Sequence, residues 1–577
     1  MGPHELIQPP DFRVVVRGVI EILALAFTHF GRGDIDRKFQ SRLTVTRSMI
    51  DRLGLEKELH GHSGCVNCLE WNHDGSVLAS ASDDLHVILW DPYRYKQLHN
   101  IATGHTGNIF SVKFLTPEIL ATCAADGSVR ARSVSGDASL LECSCHCGRV
   151  KRLATAPDNP HLIWSAGEDG LILQHDLRTP HQCNSDSANV LVNLLNHLGR
   201  YAEAKCVAVN PRRPYQLAVG ANDFYVRLYD TRMIKLSRLQ VSDPSSPSFH
   251  TPLTQFPLTF HDGNELLVNL GSEQVSVARY KSCNYRKLST KLSTPYCVQA
   301  NDLVNKGNYS TAVEFYNDAI AACPDCAILY SNRAAALMRR GWSGDTYAAI
   351  KDCYKAIKLD SAHVKSHFRL AKGLMDLKRA REAHECLLYF KDRFPRHAAS
   401  HAVFLLQKDI NVALETMETQ PDEGNVLERQ LRGAALDYTR RFLGHCNTTT
   451  DIKEANFLGP RADFLAAGSD DGSMFIWCRE SGNIIRCLRA DDSILNCIQL
   501  HPTMFLLATS GIEAVVRLWS PRAEDGSSET RAVRDAGSAA AANQQRMRSD
   551  PFEAMLLNIS FAGGADRDLH SPACRPT

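Results

Sequence analysis

GHSGCVNCLEWNHDGSVLASASDDLHVILWD, residues 61–91, is the stretch that decides the fold. Apolar and polar residues alternate over 66–71 and again over 86–90, and a short apolar run covers 76–80 between them. Turn-forming Asn, Asp, Gly and Ser residues separate the three runs, which is typical of short antiparallel strands. The stretch therefore predicts three strands of one small sheet.

The Gly-His start and Trp-Asp end of this unit resemble the WD40 repeat, in which about 40–45 residues form one four-stranded blade of a propeller. His62, Asp84 and Trp90, with Ser80 or Ser82, match the hydrogen-bonded set that ties such a blade together. We therefore predict a structural role for these side chains rather than a catalytic one.

Weaker copies of the unit follow along the chain, at residues 104–131, 150–178, 204–232, 258–280, 444–477 and 493–519. Residues 55–280 and 443–522 together suffice for seven blades of about 40–45 residues each, the first span holding blades 1–5 and the second blades 6 and 7. Residues 55–59 are predicted to supply the outer strand of the last blade, which closes the ring. The Pro/Ser-rich residues 242–257 are predicted to form a loop.

Helical periodicity replaces the strand pattern over residues 295–414. Three units carry a small residue where two helices would cross closely, namely Ala312, Ala349 and Ala383. They resemble tetratricopeptide repeats of about 34 residues, the second lengthened by GWSGDTY at 341–347, and residues 400–414 can cap the array. The predicted fold is an all-β seven-bladed WD40 propeller interrupted by an α-helical tetratricopeptide-repeat array, with 415–442 as a linker.

The two ends of the chain differ in character from these repeats. Residues 1–33 form an atypical segment whose apolar run carries Arg17 and Glu21. Each central charge costs about 2.5–3.5 kcal/mol in a bilayer, so we expect no membrane span. We predict a helix over 34–54 and a mostly disordered tail over 523–577, with a short helix at 551–558.

Composition argues for a binding protein in a reducing compartment. The 65 basic and 64 acidic side chains nearly cancel, so no net charge draws the protein to nucleic acid or to a membrane surface. Nineteen cysteines without a convincing secretory signal indicate free thiols. No nucleophile–base pair, phosphate loop or carboxylate pair has a catalytic spacing, so no enzyme activity and no cofactor are predicted.

The run CSCHC at 143–147 is the densest group of possible metal ligands. A structural zinc site usually offers a second ligand pair at a fixed offset, and none follows here. The sequence therefore predicts no metal site.

Two successive units end in HDLR, residues 175–178, and YDTR, residues 229–232. Each Arg follows the third strand of its blade, so both guanidinium groups should leave on one face, about one blade apart. The stretches resemble the box by which receptors of cullin-4 ubiquitin ligases contact the ligase's large DNA-damage-binding adaptor, although His175 and Tyr229 replace the usual Trp. The residues that match the box are Asp176, Arg178, Asp230 and Arg232. The alternative is an Asp–Arg pair that serves only the blade.

The first helices of the array resemble the clamp by which chaperone cofactors hold C-terminal carboxylates. The residues at clamp positions are Asn301, Asn332, Lys365 and Arg369. Cys297 occupies the fifth position, which is normally Lys. The missing charge would lower the affinity for a C-terminal carboxylate about ten- to a hundredfold. We therefore favour a groove for another acidic or extended peptide over chaperone tails.

A helical array inserted in a propeller, with motifs such as GHTGNIFSVKF and GHCNTTTDIKEANF, resembles the adipose family of WD and tetratricopeptide repeat proteins. The resemblance implies a non-catalytic substrate receptor of a cullin-4 ligase, present in cytoplasm and nucleus, that restrains fat storage and associates with histones or a histone deacetylase. The alternative is a chaperone- or chromatin-associated scaffold that works through the groove alone. Because the array follows the third strand of blade 5, we expect the array and the adaptor surface to share a propeller face.

Overall fold

The computed structural model describes the repeats and most of their connections. The described residues are 45–135, 139–156, 158–179, 183, 189–194, 202–222, 225–234, 249–252, 258–261, 265–269, 275–279, 293–418, 438–450, 453–523 and 529–548. The segment 1–33 and the helix predicted at 551–558 lie outside these residues. Within the described part of the chain, no helix combines the length and the apolar composition needed to cross a bilayer.

The strands, in chain order, are β1 Leu53–His60, β2 Val66–Trp71, β3 Leu78–Ser82, β4 His86–Asp91, β5 Lys96–Ala102, β6 Ile109–Thr116, β7 Ile119–Ala124, β8 Val129–Ser133, β9 Ser139–Cys143, β10 Val150–Ala156, β11 Asn159–Gly167, β12 Leu171–Asp176, β13 Val190–Asn193, β14 Ala204–Asn210, β15 Arg213–Ala221, β16 Tyr225–Asp230, β17 Phe249–Pro252, β18 Leu258–His261, β19 Glu265–Asn269, β20 Val275–Arg279, β21 Arg440–Phe442, β22 Ala455–Leu458, β23 Phe464–Gly468, β24 Ser473–Cys478, β25 Ile484–Arg489, β26 Leu495–Leu500, β27 Leu507–Gly511 and β28 Val515–Pro521. The helices are α1 Arg47–Asp51, α2 Ser293–Asn305, α3 Tyr309–Ala322, α4 Ala327–Arg340, α5 Asp345–Leu359, α6 Val364–Asp376, α7 Ala380–Arg393, α8 Pro395–Ala398, α9 His401–Glu418 and α10 Ala536–Arg548.

The strands form seven antiparallel four-stranded sheets within the described residues. Blade 1 is β2–β5, blade 2 β6–β9, blade 3 β10–β13, blade 4 β14–β17, blade 5 β18–β21, blade 6 β22–β25, and blade 7 β26–β28 with β1. The first strands of successive blades contact one another, and β26 of blade 7 contacts β2 of blade 1. The sheets therefore close into a ring, which confirms the propeller interrupted by a helical array.

The ring closes through β1, which pairs antiparallel with β28 as the outer strand of blade 7. Because β1 begins at Leu53, the helix predicted over 34–54 was too long at its end. Within the described part of that range, only residues 47–51 are helical. Ile50 of α1 packs in the apolar cluster between blades 6 and 7. From Leu53 onward the backbone pairs with the edge of blade 7 instead of continuing the helix, so β1 covers the edge that β28 would otherwise expose.

The polar residues of blade 1 form the predicted structural network. His62 lies 2.8 Å from Asp84 through Nδ1 and 2.7 Å from Ser80 through Nε2. The indole of Trp90 donates to the same Ser80 hydroxyl at 2.8 Å. Ser80 rather than Ser82 is therefore the hydroxyl of the network, and these side chains hold the blade together.

A buried histidine between blades 5 and 6 should make stability depend on pH. His445 is fully buried, and its Nε2 lies 2.9 Å from Oδ1 of Asn269 in blade 5. Burial lowers the pKa of His445 to about 4. The unfolded chain binds a proton near pH 6.5, so the folded state loses stability as the pH falls from about 6.5 to 4.

We expect His445→Gln to reduce this pH dependence by about 3 kcal/mol between pH 7 and pH 4, since glutamine cannot be protonated and its amide can still donate to Asn269. The free energy of unfolding, measured by urea titration at several pH values, checks this expectation. An unchanged pH dependence in the variant would show that His445 is not the titrating group.

The helical array stacks through the small residues that its periodicity predicted. Ala312, Ala349 and Ala383 are all completely buried in the core of the array. The cap is α9, in which Val403, Leu406 and Ile410 pack into the same core. The three repeats and their capping helix thus bury one continuous apolar core.

The array lies inside blade 5, between its third and fourth strands. The fourth strand is β21, which pairs with β20 through Phe442, Arg441 and Arg440. The linker predicted over 415–442 was therefore too long at both ends. Residues 440–442 form a strand, and the helix α9 continues as far as Glu418. The loop predicted over 242–257 is corrected in the same way, because β17 completes blade 4 there. Both strands are only three or four residues long, too short to show an alternating apolar and polar sequence. Each pairs with the third strand of its own blade.

The insertion at 341–347 is the part of the array that docks on the propeller. Trp342 packs against the apolar cluster that includes Phe442, Phe475 and Trp477 of blades 5 and 6. Tyr347 lies 6.0 Å from Tyr438 between ring centroids. An extension that the sequence showed only as a lengthened repeat therefore forms an interface.

A buried carboxylate crosses the same interface. Asp345 is completely buried and accepts two hydrogen bonds from Arg340 at 2.8 Å each and one from the guanidinium of Arg441 in β21. Arg441 also donates to the carbonyl of Ser343 at 3.2 Å. We call Asp345, Arg340 and Arg441 the docking clamp, because they tie the array to the outer strand of blade 5.

The tail predicted to be mostly disordered contains the helix α10. Asp535 caps it by accepting from the backbone N–H of Ser538 at 2.9 Å. Buried Asn543 donates to the carbonyl of Gly444 at 2.8 Å and to Asp471 at 3.2 Å. The Ala-rich sequence that suggested low complexity also has the highest intrinsic helix propensity, and packing on blade 6 selects the helix.

Candidate functional site

Two identical arginine forks lie at the ends of the third strands of blades 3 and 4. Arg178 donates through Nε and Nη2 to the two carboxylate oxygens of Asp176, at 2.9 and 2.7 Å. Arg232 does the same to Asp230, at 2.9 and 2.6 Å. In each pair the arginine backbone N–H also donates to the aspartate, at 3.0 and 3.1 Å. The structure therefore builds the same bidentate geometry twice.

Both guanidinium groups remain largely open to solvent. The side chains of Arg178 and Arg232 are 57% and 62% exposed, and the ring of Tyr215 supports Arg232 at 3.5 Å from the ring centroid. The hydrogen bond from Arg178 holds the pKa of Asp176 below its ordinary value, and Arg232 does the same for Asp230. The aspartates therefore stay charged and hold each fork with its remaining N–H groups pointing outward.

The residues that replace Trp in the two boxes keep their blades packed. His175 is buried and its Nε2 lies 2.8 Å from the hydroxyl of Ser165. Ser165 in turn lies 2.8 Å from Nε2 of His146, so the network of blade 1 is reproduced with a histidine in place of Trp90. Tyr229 is buried in the apolar cluster between blades 3 and 4. The departures from Trp leave the strand ends in place.

Two of the four predicted groove residues, Asn301 and Asn332, contact each other on the first helices of the first two repeats. Asn332 of α4 donates to Oδ1 of Asn301 of α2 at 3.3 Å. Arg369 of α6 donates to the hydroxyl of Ser331 at 2.6 Å and to its carbonyl at 2.9 Å, directly beside Asn332. Lys365 is exposed one helical turn before Arg369. The groove thus has two amides at one end and two cations at the other.

Two further residues set the geometry of this groove. Tyr316, which the sequence analysis did not select, donates its hydroxyl to Oδ1 of Asn301 at 2.6 Å. Burial raises the pKa of Tyr316 to about 12, so it remains a donor. Cys297 lies one turn before Asn301 and accepts from its amide at 3.8 Å. Burial lowers the pKa of Arg369. Among the described residues its hydrogen bonds go to Ser331 and not to a carboxylate. The groove therefore presents cationic and amide groups suited to an anionic ligand.

The array contacts the propeller near the end of another third strand. The amide of Asn483 follows β24 of blade 6 and donates to the carbonyl of Glu314 at 3.1 Å and to Asp318 at 3.0 Å. Since Arg178 and Arg232 also follow third strands, this contact lies at the same end of the strands as the two forks. Part of the array interface therefore shares the face of the forks.

The fold and its two surfaces define a WD40 and tetratricopeptide-repeat scaffold, a class of repeat proteins that is typically non-catalytic. The family model described as WD domain, G-beta repeat, matches residues 54–91 and 437–478. The chain is 41% identical to human WD and tetratricopeptide repeats protein 1, with 93% of this chain and 97% of the relative aligned. The chain belongs to that family.

The chain is also similar to a plant protein and, over part of its length, to a second human protein. The Arabidopsis thaliana protein ALTERED SEED GERMINATION 2 is 27% identical over 92% of this chain and 95% of the relative. The human DDB1- and CUL4-associated factor 6 is 32% identical over 44% of this chain and 31% of the relative. The second similarity is partial, and the name of that relative describes it as associated with DDB1 and CUL4.

Proposed function

We propose that this chain is a substrate receptor of a cullin-4 ubiquitin ligase, and that Arg178 and Arg232 dock it on the adaptor DDB1. The observation that supports the proposal is the repeated Asp–Arg fork on adjacent blades. An exposed ion pair contributes little to stability, so the blade alone does not account for two copies of one geometry. A planar guanidinium held by its own aspartate is preorganised to donate to carbonyl or carboxylate groups of a partner.

Co-purification from cells tests this function. The wild-type chain should bring down DDB1 and a cullin-4 subunit, and the captured partner should carry ubiquitin when the proteasome is inhibited. The competing scaffold function predicts that other partners are recovered without DDB1. If DDB1 is absent under conditions that retain those partners, the proposed receptor function is excluded.

The groove is proposed to capture the substrate through an acidic or extended peptide segment. Asn301 and Asn332 can bind the peptide backbone or a carboxylate, while Lys365 and Arg369 supply the positive charge. The adipose-family resemblance suggests a histone or a histone deacetylase as the partner and restraint of fat storage as the outcome. Such a partner requires the chain to be present in the nucleus as well as the cytoplasm.

We expect Lys365→Ala combined with Arg369→Ala to weaken binding of an acidic peptide about a hundredfold or more, because each charge-assisted hydrogen bond accounts for about a ten- to hundredfold change. Fluorescence anisotropy with a labelled acidic peptide measures the change. The matched control is Lys355→Ala, an exposed lysine on α5, the second helix of its repeat. Equal loss in both variants would mean that binding is nonspecific attraction to positive charge.

The positions of the groove and the two arginine forks determine where a bound peptide would lie relative to DDB1. The array is tied to blades 5 and 6, at a site that includes the face of the two forks. A peptide bound in the array would then lie beside the propeller face that meets DDB1. We propose that the docking clamp fixes this relation, so that a captured substrate is presented in a constant orientation.

A further inference from the structure

Three cysteines from two separate parts of the chain converge at the rim between blades 2 and 3. The sulfur atoms of Cys143, Cys145 and Cys183 all lie within 4.8 Å of one another. Cys143 ends β9, Cys145 follows it, and Cys183 comes from the connection between β12 and β13. The sequence shows no second group of ligands near CSCHC, because the third sulfur comes from a distant position in the chain.

The local contacts hold these sulfurs together. The backbone N–H of Ser144 donates to the sulfur of Cys183 at 3.3 Å. Cys145 packs against Leu171, Leu173 and Val190 of blade 3 while Cys143 packs in the core of blade 2. The blade cores therefore position Cys143 and Cys145, and a backbone contact with Ser144 places Cys183 beside them.

The histidine in the same run is not available as a ligand. Nδ1 of His146 lies 2.9 Å from Asp169, and its Nε2 lies 2.8 Å from Ser165. Both ring nitrogens therefore belong to the structural network of blade 3. Among the described residues, the donor group at this place consists of three sulfurs.

We propose that Cys143, Cys145 and Cys183 bind one Zn²⁺ ion. In a tetrahedral site with Zn–S bonds of about 2.3 Å, the sulfurs lie about 3.8 Å apart, so the three need little movement to reach it. On binding, three thiols release their protons to solvent, three Zn–S bonds form, and the hydrated ion loses all but one of its water ligands as it becomes four-coordinate. The fourth position is left to water, because Cys183 is exposed.

The ion would act as a cross-link. It would join the outer strand of blade 2 to the segment that leaves the third strand of blade 3, five residues beyond Arg178. Zinc binding is expected to weaken as the pH is lowered, since protons compete with the metal for the same sulfurs. The site does not depend on the proposed ligase function.

The test uses the full chain, purified under reducing conditions and treated with a chelator. Zn²⁺ is titrated in competition with a chromophoric chelator, and Co²⁺ is added separately to look for a thiolate-to-cobalt charge-transfer band. We expect one tightly bound equivalent and the band in the wild type. Cys183→Ser should weaken binding at least tenfold and abolish the band. Circular dichroism checks that this exposed substitution leaves the fold intact.

The matched control is Cys386→Ser, a half-buried cysteine on α7 of the array, which should bind metal as the wild type does. Equal binding by the wild type and Cys183→Ser would overturn the proposal, and so would failure of the reduced wild type to bind either ion. Recovery of the native protein with a disulfide between two of these three cysteines would also overturn it, because the cluster would then be a redox pair.

Discussion

Asp345→Ala is expected to lower the free energy of unfolding by about 3–5 kcal/mol and to detach the array from the propeller. The substitution leaves Arg340 and Arg441, whose side chains are only 8% and 9% exposed, as buried charges without their carboxylate. Chemical denaturation measures the loss. Limited proteolysis should show faster cleavage between array and propeller, because the interface opens before either domain unfolds.

The control for this substitution is Asp409→Ala, an exposed aspartate on the capping helix α9. It removes the same charge from the array and should change stability by no more than about 0.5 kcal/mol. If Asp345→Ala resists denaturant and protease as the wild type does, the docking clamp does not hold the array. The orientation proposed for a captured substrate would then lose its physical basis.

Arg178→Ala combined with Arg232→Ala is expected to weaken binding of purified DDB1 about a hundredfold or more. Each arginine should account for about a ten- to hundredfold change, the range for a charge-assisted hydrogen bond at an interface. The two sites lie on separate blades, so their effects should multiply. Isothermal titration calorimetry of the two single variants and the double variant measures this. The fold should be unaffected, because both side chains are exposed.

The matched control is Arg94→Ala, which removes an arginine after the third strand of blade 1. Arg94 is 79% exposed and lies 3.5 Å from Asp91, in a looser pair than the two forks. It should bind DDB1 as the wild type does. Equal losses in the control and the double variant would indicate general electrostatic attraction rather than recognition by the forks.

Much of the fold could be predicted because its units are local. The blade pattern of alternating strands and turns lies within about forty residues, and the helix-crossing alanines recur about one repeat apart. The short strands β17 and β21 could not be predicted, since three or four residues carry no periodic signal and their pairing is decided by a neighbouring sheet edge. The helix α10 was missed because an Ala-rich composition is compatible with both disorder and helix.

The candidate sites also contain residues that local sequence patterns predict and contacts that such patterns cannot predict. The sequence identified Arg178 and Arg232 because each follows a recognisable strand end, and it identified Asn301 and Arg369 through their repeat positions. It could not identify contacts that join distant segments. Asp345 meets Arg441 across about a hundred residues, and Tyr316 positions Asn301 from a neighbouring helix. The cysteine cluster required the third sulfur to be located in space.

The central claim is that this propeller meets DDB1 through the face on which the third strands of blades 3 and 4 end. Electron cryo-microscopy of the chain bound to purified DDB1 tests it most directly. We expect Arg178 and Arg232 to lie in the interface, with their exposed N–H groups donating to DDB1 and the array on the adjacent rim. A complex formed through the opposite face of the propeller, or no complex between the two purified proteins, would contradict it.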